Sequence, residues 1–229
     1  DGNMYFCVGG RGGQSSLYRV SYKGKADTSL SKLDTTSSHA KARKTRHMLE
    51  AFHGHPDPKA LETAWSYLND DDYHLRYAAR IAIEWQDHKT WADKAYSEQN
   101  DLAAIHALLG LARSDREGSL PPSVKRLLKV DFDKLDKTSQ LALLRTYGVI
   151  MSRGGKPDAG QVKAIGDQLD PHFPAKDDNL NEELCRVLCY LQHPSVVKKT
   201  VALMQTTKAK VPDFDAEVMK RNKGYGGRI

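Results

Sequence analysis

Several groups of side chains have types and spacings that could do chemistry. His47, His53 and His55, with His39 nearby, are close in sequence, and His-x-His is a possible ligand pair for a metal ion. No cysteine or paired carboxylate completes a recognisable metal spacing beside them. The competing reading places His53-Gly54-His55-Pro56 at a helix end, where an imidazolium suits the helix dipole. Cys185 and Cys189 are four residues apart and share a helix face, which could hold half a metal site. Without a second Cys or His pair they read as small core-lining residues, and Cys7 reads as a packed hairpin residue. Lys41, Arg43, Lys44 and Arg46 form the densest basic run and could meet phosphate. So short a run supplies only a modest counterion-release contribution, and a solvated helix face is the competing reading. Trp65, Trp85 and Trp91 could be stacking platforms, but tryptophans in consecutive helices also suit an inter-helix core.

Other chemistry is excluded by pattern. Gly9-Gly10-Arg11-Gly12-Gly13 would cradle phosphate only if it opened a helix. Here it lies between two β-prone runs and reads as a hairpin turn needing positive φ. There is no Gly-x-Ser-x-Gly, no His-Glu-x-x-His and no assignable Ser/His/Asp order. With no Cys-x-x-Cys-His, the segment carries no haem attachment of its own. The reading therefore expects no catalytic residue, no metal and no cofactor in this segment.

Composition narrows the class. The chain has 229 residues, 39% hydrophobic and 28% charged, with net charge +6. No apolar run reaches the roughly 18 residues of a membrane-spanning helix. Three cysteines are too few for a disulfide scaffold. The hydrophobic content is too high for a disordered chain. The charge alternates in sign: residues 1–50 carry nine Lys/Arg against four Asp/Glu, and residues 51–100 carry five against nine. That alternation argues against a dedicated polyanion-binding surface.

The elements that must position these groups fall into three zones. Residues 1–25 hold six of the 17 glycines and read as a β-hairpin, with strands around Tyr5–Val8 and Leu17–Tyr22 and a loop longer than two residues. Residues 26–37 are rich in Ser, Thr and Asp and read as a linker. From residue 38 the pattern is helical. Helices are expected at about 38–53, 58–69, 72–86, 89–98, 101–114, 121–130, 137–153, 158–169, 181–192, 194–207 and 213–222. Asp57, Asp70-Asp71-Asp72, Asn100-Asp101 and Asn179 or Asn181 offer N-caps, Pro58 and Pro194 sit just inside helix starts, and Gly154 offers a stop. Short helices joined by tight turns suggest stacked helix pairs.

The stretch ALETAWSYLNDDDYHLRYAARIAIEW (60–85) resembles a HEAT repeat, with an acidic turn through Asp72 followed by Leu75-Arg76. Arg76 and Arg80 themselves read as structural, pairing with Asp70–Asp72 or capping turn carbonyls. A weaker likeness covers 179–207. The opening DGNMYFCVGGRGGQSSLYRVSY resembles the last strands of a sugar-dehydrogenase-type β-propeller. RHMLEAFHG, LALLRTYGVIMSRGGKP, NEELCRVLCYLQHPSVVKKTVALM and RNKGYGG resemble the helical region that follows such propellers. The family so resembled comprises large exported bacterial proteins, haem-binding or membrane-bound dehydrogenase-like, in which a c-type haem domain follows the helices.

The resemblance implies a HEAT-like α-solenoid of about five helix pairs with a short N-terminal hairpin. Residues 1–25 would be a propeller remnant, 26–37 a linker and 38–229 the repeat domain. It implies a non-catalytic scaffold between a quinone-dependent, dehydrogenase-like propeller and a haem domain, in a periplasmic or exported protein. Its partners would be other domains of the same polypeptide or another protein. The abrupt start at a strand reads as a piece of something longer. The alternative is a HEAT-like nucleic-acid enzyme such as a DNA glycosylase, motivated by the basic run and the tryptophans.

Overall fold

A computed structural model of the chain describes residues 3–10, 13–27, 29, 32, 34–115 and 120–206. The helix expected at 213–222 lies outside the described residues. The described chain is mostly helical, with a two-stranded antiparallel hairpin at its N-terminal end. Contacts divide the chain into Asp1–Thr45 and Arg46–Ile229.

In the first unit, β1 (Met4–Gly10) pairs with β2 (Gly13–Val20). The register runs from Met4 opposite Val20 to Val8 opposite Ser16, then shifts so that Gly10 meets Gly13. The strands extend into the glycines, leaving a two-residue connection where a longer loop is expected. Side chains alternate between faces, and Met4, Phe6 and Val8 on one face and Tyr5 and Cys7 on the other are all exposed. Cys7 therefore does not pack. What order the faces have comes from cross-strand pairs such as Phe6 stacked on Tyr18 at 5.3 Å. Further on, the Asp34 carboxylate accepts hydrogen bonds from the backbone N–H groups of Thr36 and Ser37. Hydrogen bonds from Ser37 and Thr36 hold its carboxyl well below the usual range. This turn leads into α1 (Ser38–Glu50), where the Ser37 hydroxyl accepts from Ala40 N–H.

The second unit contains α2 (Ala60–Trp65), α3 (Tyr73–Glu84), α4 (Ala92–Ser97), α5 (Asp101–Ser114) and α6 (Leu120–Leu127). It continues with α7 (Lys137–Gly154), α8 (Ala159–Leu169), α9 (Asp178–Tyr190) and α10 (Val196–Thr206). Side-chain caps set most of the starts. Asp72, Asn100, Asp136, Asp158 and Asp177 each accept from a backbone N–H two or three residues on. Asp72→Ala is expected to cost about 1 kcal/mol and lower the melting temperature by a few degrees. An unchanged thermal transition would show that tertiary contacts alone fix the start of α3.

Several boundaries differ from the sequence expectation for local reasons. Asp177 caps α9 through the N–H groups of Asn179 and Leu180, so the helix starts before Asn181. Asp87 caps a separate 3-10 turn at His88–Thr90, which splits the expected 89–98 helix at Trp91. Gly155, with φ +87°, is the positive-φ stop after α7, and Gly154 belongs to the helix. Pro194 lies in the turn before α10.

Alternate helices pack in rows. In one row α3 packs on α5, α5 on α7 and α7 on α9. In the other α4 packs on α6 and α6 on α8. Cross-contacts pair α2 with α3, α4 with α5, α6 with α7 and α8 with α9. Leu75, Ala78, Ala79, Ala82 and Ile83 form the buried stripe of α3. On α5, Ala103 through Ala112 is buried without interruption, as in a central helix covered on all sides. α5 lies close to α3 at Gly110, where even a Cβ would make ordinary contact with the Arg80 and Glu84 side chains at 3.4 Å. The Gln168 side chain fastens three helices: its amide donates to the carbonyls of Leu127 and Val130, and its oxygen accepts from the buried Tyr147 hydroxyl at 2.7 Å. No described helix is long and apolar enough to cross a membrane.

Candidate functional site

The first nine residues of α3, α5 and α7 contribute every residue that lines a groove of about 420 Å³. From α3 come Tyr73, Arg76, Tyr77 and Arg80, which recur at helical spacing on one face. From α5 come Leu102, His106 and Leu109, and from α7 Thr138, Ser139, Leu141, Ala142 and Arg145. No carboxylate is among them.

The charges on α3 are held in place. Arg76 is buried at 7% exposure, and its Nη1 donates to the carbonyls of Asp70 and Asp71, at 2.5 and 3.0 Å. Arg76 thereby caps two carbonyls of the turn before α3. Arg80, also buried, pairs instead with Glu84 four residues on, so the expected pairing with Asp70–Asp72 does not form. Arg113 of α5 reaches the same carboxylate at 2.9 Å. The guanidinium of Arg76 lies over the Tyr73 ring at 5.9 Å and that of Arg80 over Tyr77 at 5.1 Å. Both tyrosines are about half exposed.

His106 is the residue that the sequence reading missed. It is 7% exposed, and neither ring nitrogen has a hydrogen-bond partner. Burial, followed by the positive charges of Arg76 and Arg80, lowers its pKa to about 4. The imidazole is therefore neutral near pH 7. Its only sequence signal is a histidine within the apolar run Ala103–Ala112.

The other candidates are placed elsewhere. His47 bonds to Glu50, His53 to the carbonyl of Ala78 on α3, and His55 to the carbonyl of His53. Among the described residues no group of three His, Cys, Asp or Glu side chains could hold a metal ion. Cys185 and Cys189 lie 3.8 Å apart; Cys185, half-buried, packs against the core, whereas Cys189 is exposed and does not line it. In the basic run, Arg43 donates to the carbonyl of Asp34 and Arg46 pairs with Glu50 at 3.1 Å, while Lys41 and Lys44 are exposed. Trp65 and Trp91 are buried edge-to-face at 6.3 Å, and Trp85 is half exposed at the end of α3. The Trp65 indole donates to Glu98 at 2.7 Å, and Lys94 lies over its ring at 4.3 Å.

A Ser/His/Asp cluster also forms, although no such order is readable from spacing. His193 Nδ1 lies 3.0 Å from Ser195 Oγ, but that hydroxyl donates to Asp170, and Lys199 pairs with Asp170 at 2.8 Å. The serine proton points to the carboxylate, and the carboxylate is neutralised by lysine. Burial raises the Asp170 pKa, but hydrogen bonds from Lys199 and Ser195 outweigh it and hold the carboxyl below its ordinary range. A nucleophile needs its proton directed to a base, so this cluster is a clamp between the end of α8 and the start of α10.

Comparison of the chain with protein-family models, curated proteins and solved structures finds no match.

Proposed function

We propose that the chain is a HEAT-like α-solenoid that acts as a non-catalytic scaffold and interaction domain. In this reading it links a dehydrogenase-like β-propeller to a c-type haem domain within a larger exported redox protein, and the hairpin belongs to the propeller. One observation supports it above the others. The groove draws on three successive members of one helix row, as expected where a repeat stack presents its inner helices to a partner. The polar clusters support it as well, because Asp170, Glu84 and Gln168 bind neighbouring elements together.

The nucleic-acid enzyme reading has less support. It asks for an exposed aromatic cleft with a catalytic carboxylate, whereas Trp65 and Trp91 are buried and no carboxylate lines the groove. Salt-dependent binding to DNA would favour it.

Two measurements test the scaffold reading. The purified chain is expected to leave aldoses unoxidised when a quinone cofactor and a dye acceptor are added, and turnover would overturn the reading. The full encoding reading frame is expected to hold a propeller before these helices and a Cys-x-x-Cys-His after them. A frame with neither would remove the redox context.

A further inference from the structure

Three buried polar atoms in the groove have no hydrogen-bond partner: Arg76 Nε and both ring nitrogens of His106. Each belongs to a side chain 7% exposed. Arg76 also has no carboxylate within 4.0 Å among the described residues, although its guanidinium is charged at every ordinary pH. A buried cation left without an anion is costly, and so is a buried imidazole with no donor or acceptor opposite it. Both side chains line one cavity, whose volume of about 420 Å³ is that of a small-molecule site.

The lining defines the missing chemistry. Arg76 Nε–H and one His106 N–H are donors without acceptors, and Arg145 adds positive charge, that of Arg80 being paired with Glu84. The remaining surface is largely aliphatic, from Leu102, Leu109 and Leu141. A ligand must therefore combine an anionic head with an apolar body. A dianion such as phosphate is disfavoured, because the carboxylates of Asp72 and Asp136 already occupy the helix starts on either side. Asp136 already feels the charge of Arg76, after the stronger effect of its hydrogen bonds to Ser139.

We propose that the groove formed by α3, α5 and α7 binds a small organic monocarboxylate, its head on Arg76 and His106 and its apolar body against the leucines. The proposal does not depend on the scaffold reading. The same groove could lie within a scaffold or within a free-standing binding protein.

The test uses the whole chain and three probes of matched shape: phenylbutyrate, phenylbutanol and phenylbutylamine. Phenylbutyrate is expected to bind at least roughly tenfold more tightly than the other two, because only it satisfies the buried donors. Binding should shift the His106 ring proton resonances and raise the pH at which they titrate, since a carboxylate favours the imidazolium. Excess inorganic phosphate should not displace it. His106→Leu should weaken binding by about tenfold while retaining the helical circular dichroism. The proposal is overturned if acid and alcohol bind alike, if phosphate competes, or if saturating acid leaves the His106 resonances of the wild-type chain unmoved. The last readout needs no variant, so it decides the matter even if the substitution prevents folding.

Discussion

Replacing Glu84 by alanine will destabilise the helical unit by roughly 3–5 kcal/mol, the scale for removing one partner of a buried ion pair. The Glu84 side chain is 12% exposed and serves two arginines from different helices. Arg80 shares its helix and is 9% exposed at the side chain, so its charge cannot turn into water once the carboxylate is gone. Arg113 is 43% exposed and can rehydrate, so its share of the loss is small. The variant would leave Arg80 beside Arg76, two buried cations on successive turns of α3 with no buried anion beside them. Urea unfolding should show the midpoint fall with an unchanged slope. Adding Arg80→Leu to Glu84→Ala should recover much of the loss, because the uncompensated charge leaves with its partner. A single-variant loss under about 1 kcal/mol would mean that the pair behaves as a surface bridge.

The second large effect is on acid stability. In the unfolded chain His106 takes up a proton near its ordinary pKa of 6.5, and in the folded chain only near 4. Between those values the unfolded state binds the extra proton, so stability rises with pH across the window and is lost as pH falls from 6.5 towards 4. The full loss is about 3 kcal/mol at 1.36 kcal/mol per pH unit. Burial is the larger cause, followed by the charges of Arg76 and Arg80 of α3; Arg145 faces the same groove from α7. Glu98, Asp136, Asp170 and Asp177 are held below the ordinary carboxylate range, so what they contribute is lost only below about pH 4.5. Urea midpoints measured across this range should therefore fall by one proton's worth more in the wild type than in His106→Leu. Parallel curves for the two proteins would refute a buried neutral imidazole.

How much of this is legible in the sequence varies with the element. The apolar spacing of α3 and its acidic turn identify Arg76 and Arg80 as residues of interest, and Arg76 donates to the carbonyls of Asp70 and Asp71. The partner of Arg80 is Glu84, four residues on at an ordinary helical spacing, and not the Asp70–Asp72 turn. His106 could not be placed, because α5 is apolar on every side and its periodicity names no face. The groove brings together residues more than sixty positions apart, from Tyr73 to Arg145. Only the packing of α3, α5 and α7 creates that proximity. The short 3-10 turn at Phe132–Lys134 escaped for a different reason: its cap, Asp131, lies between two helical patterns with no apolar period of its own.

The row α3, α5, α7, α9 also determines where the unit yields first. A helix covered on both flanks opens only when its neighbours do, whereas one at the end of a row has a row neighbour on one side only. Backbone amides of α5 should therefore outlast those of α9 and α10 against solvent deuterium. Because the groove spans α3, α5 and α7, anything seated there joins an outer member of the row to the middle. Occupancy would then be felt as slower fraying at that end, with no movement of the helices required.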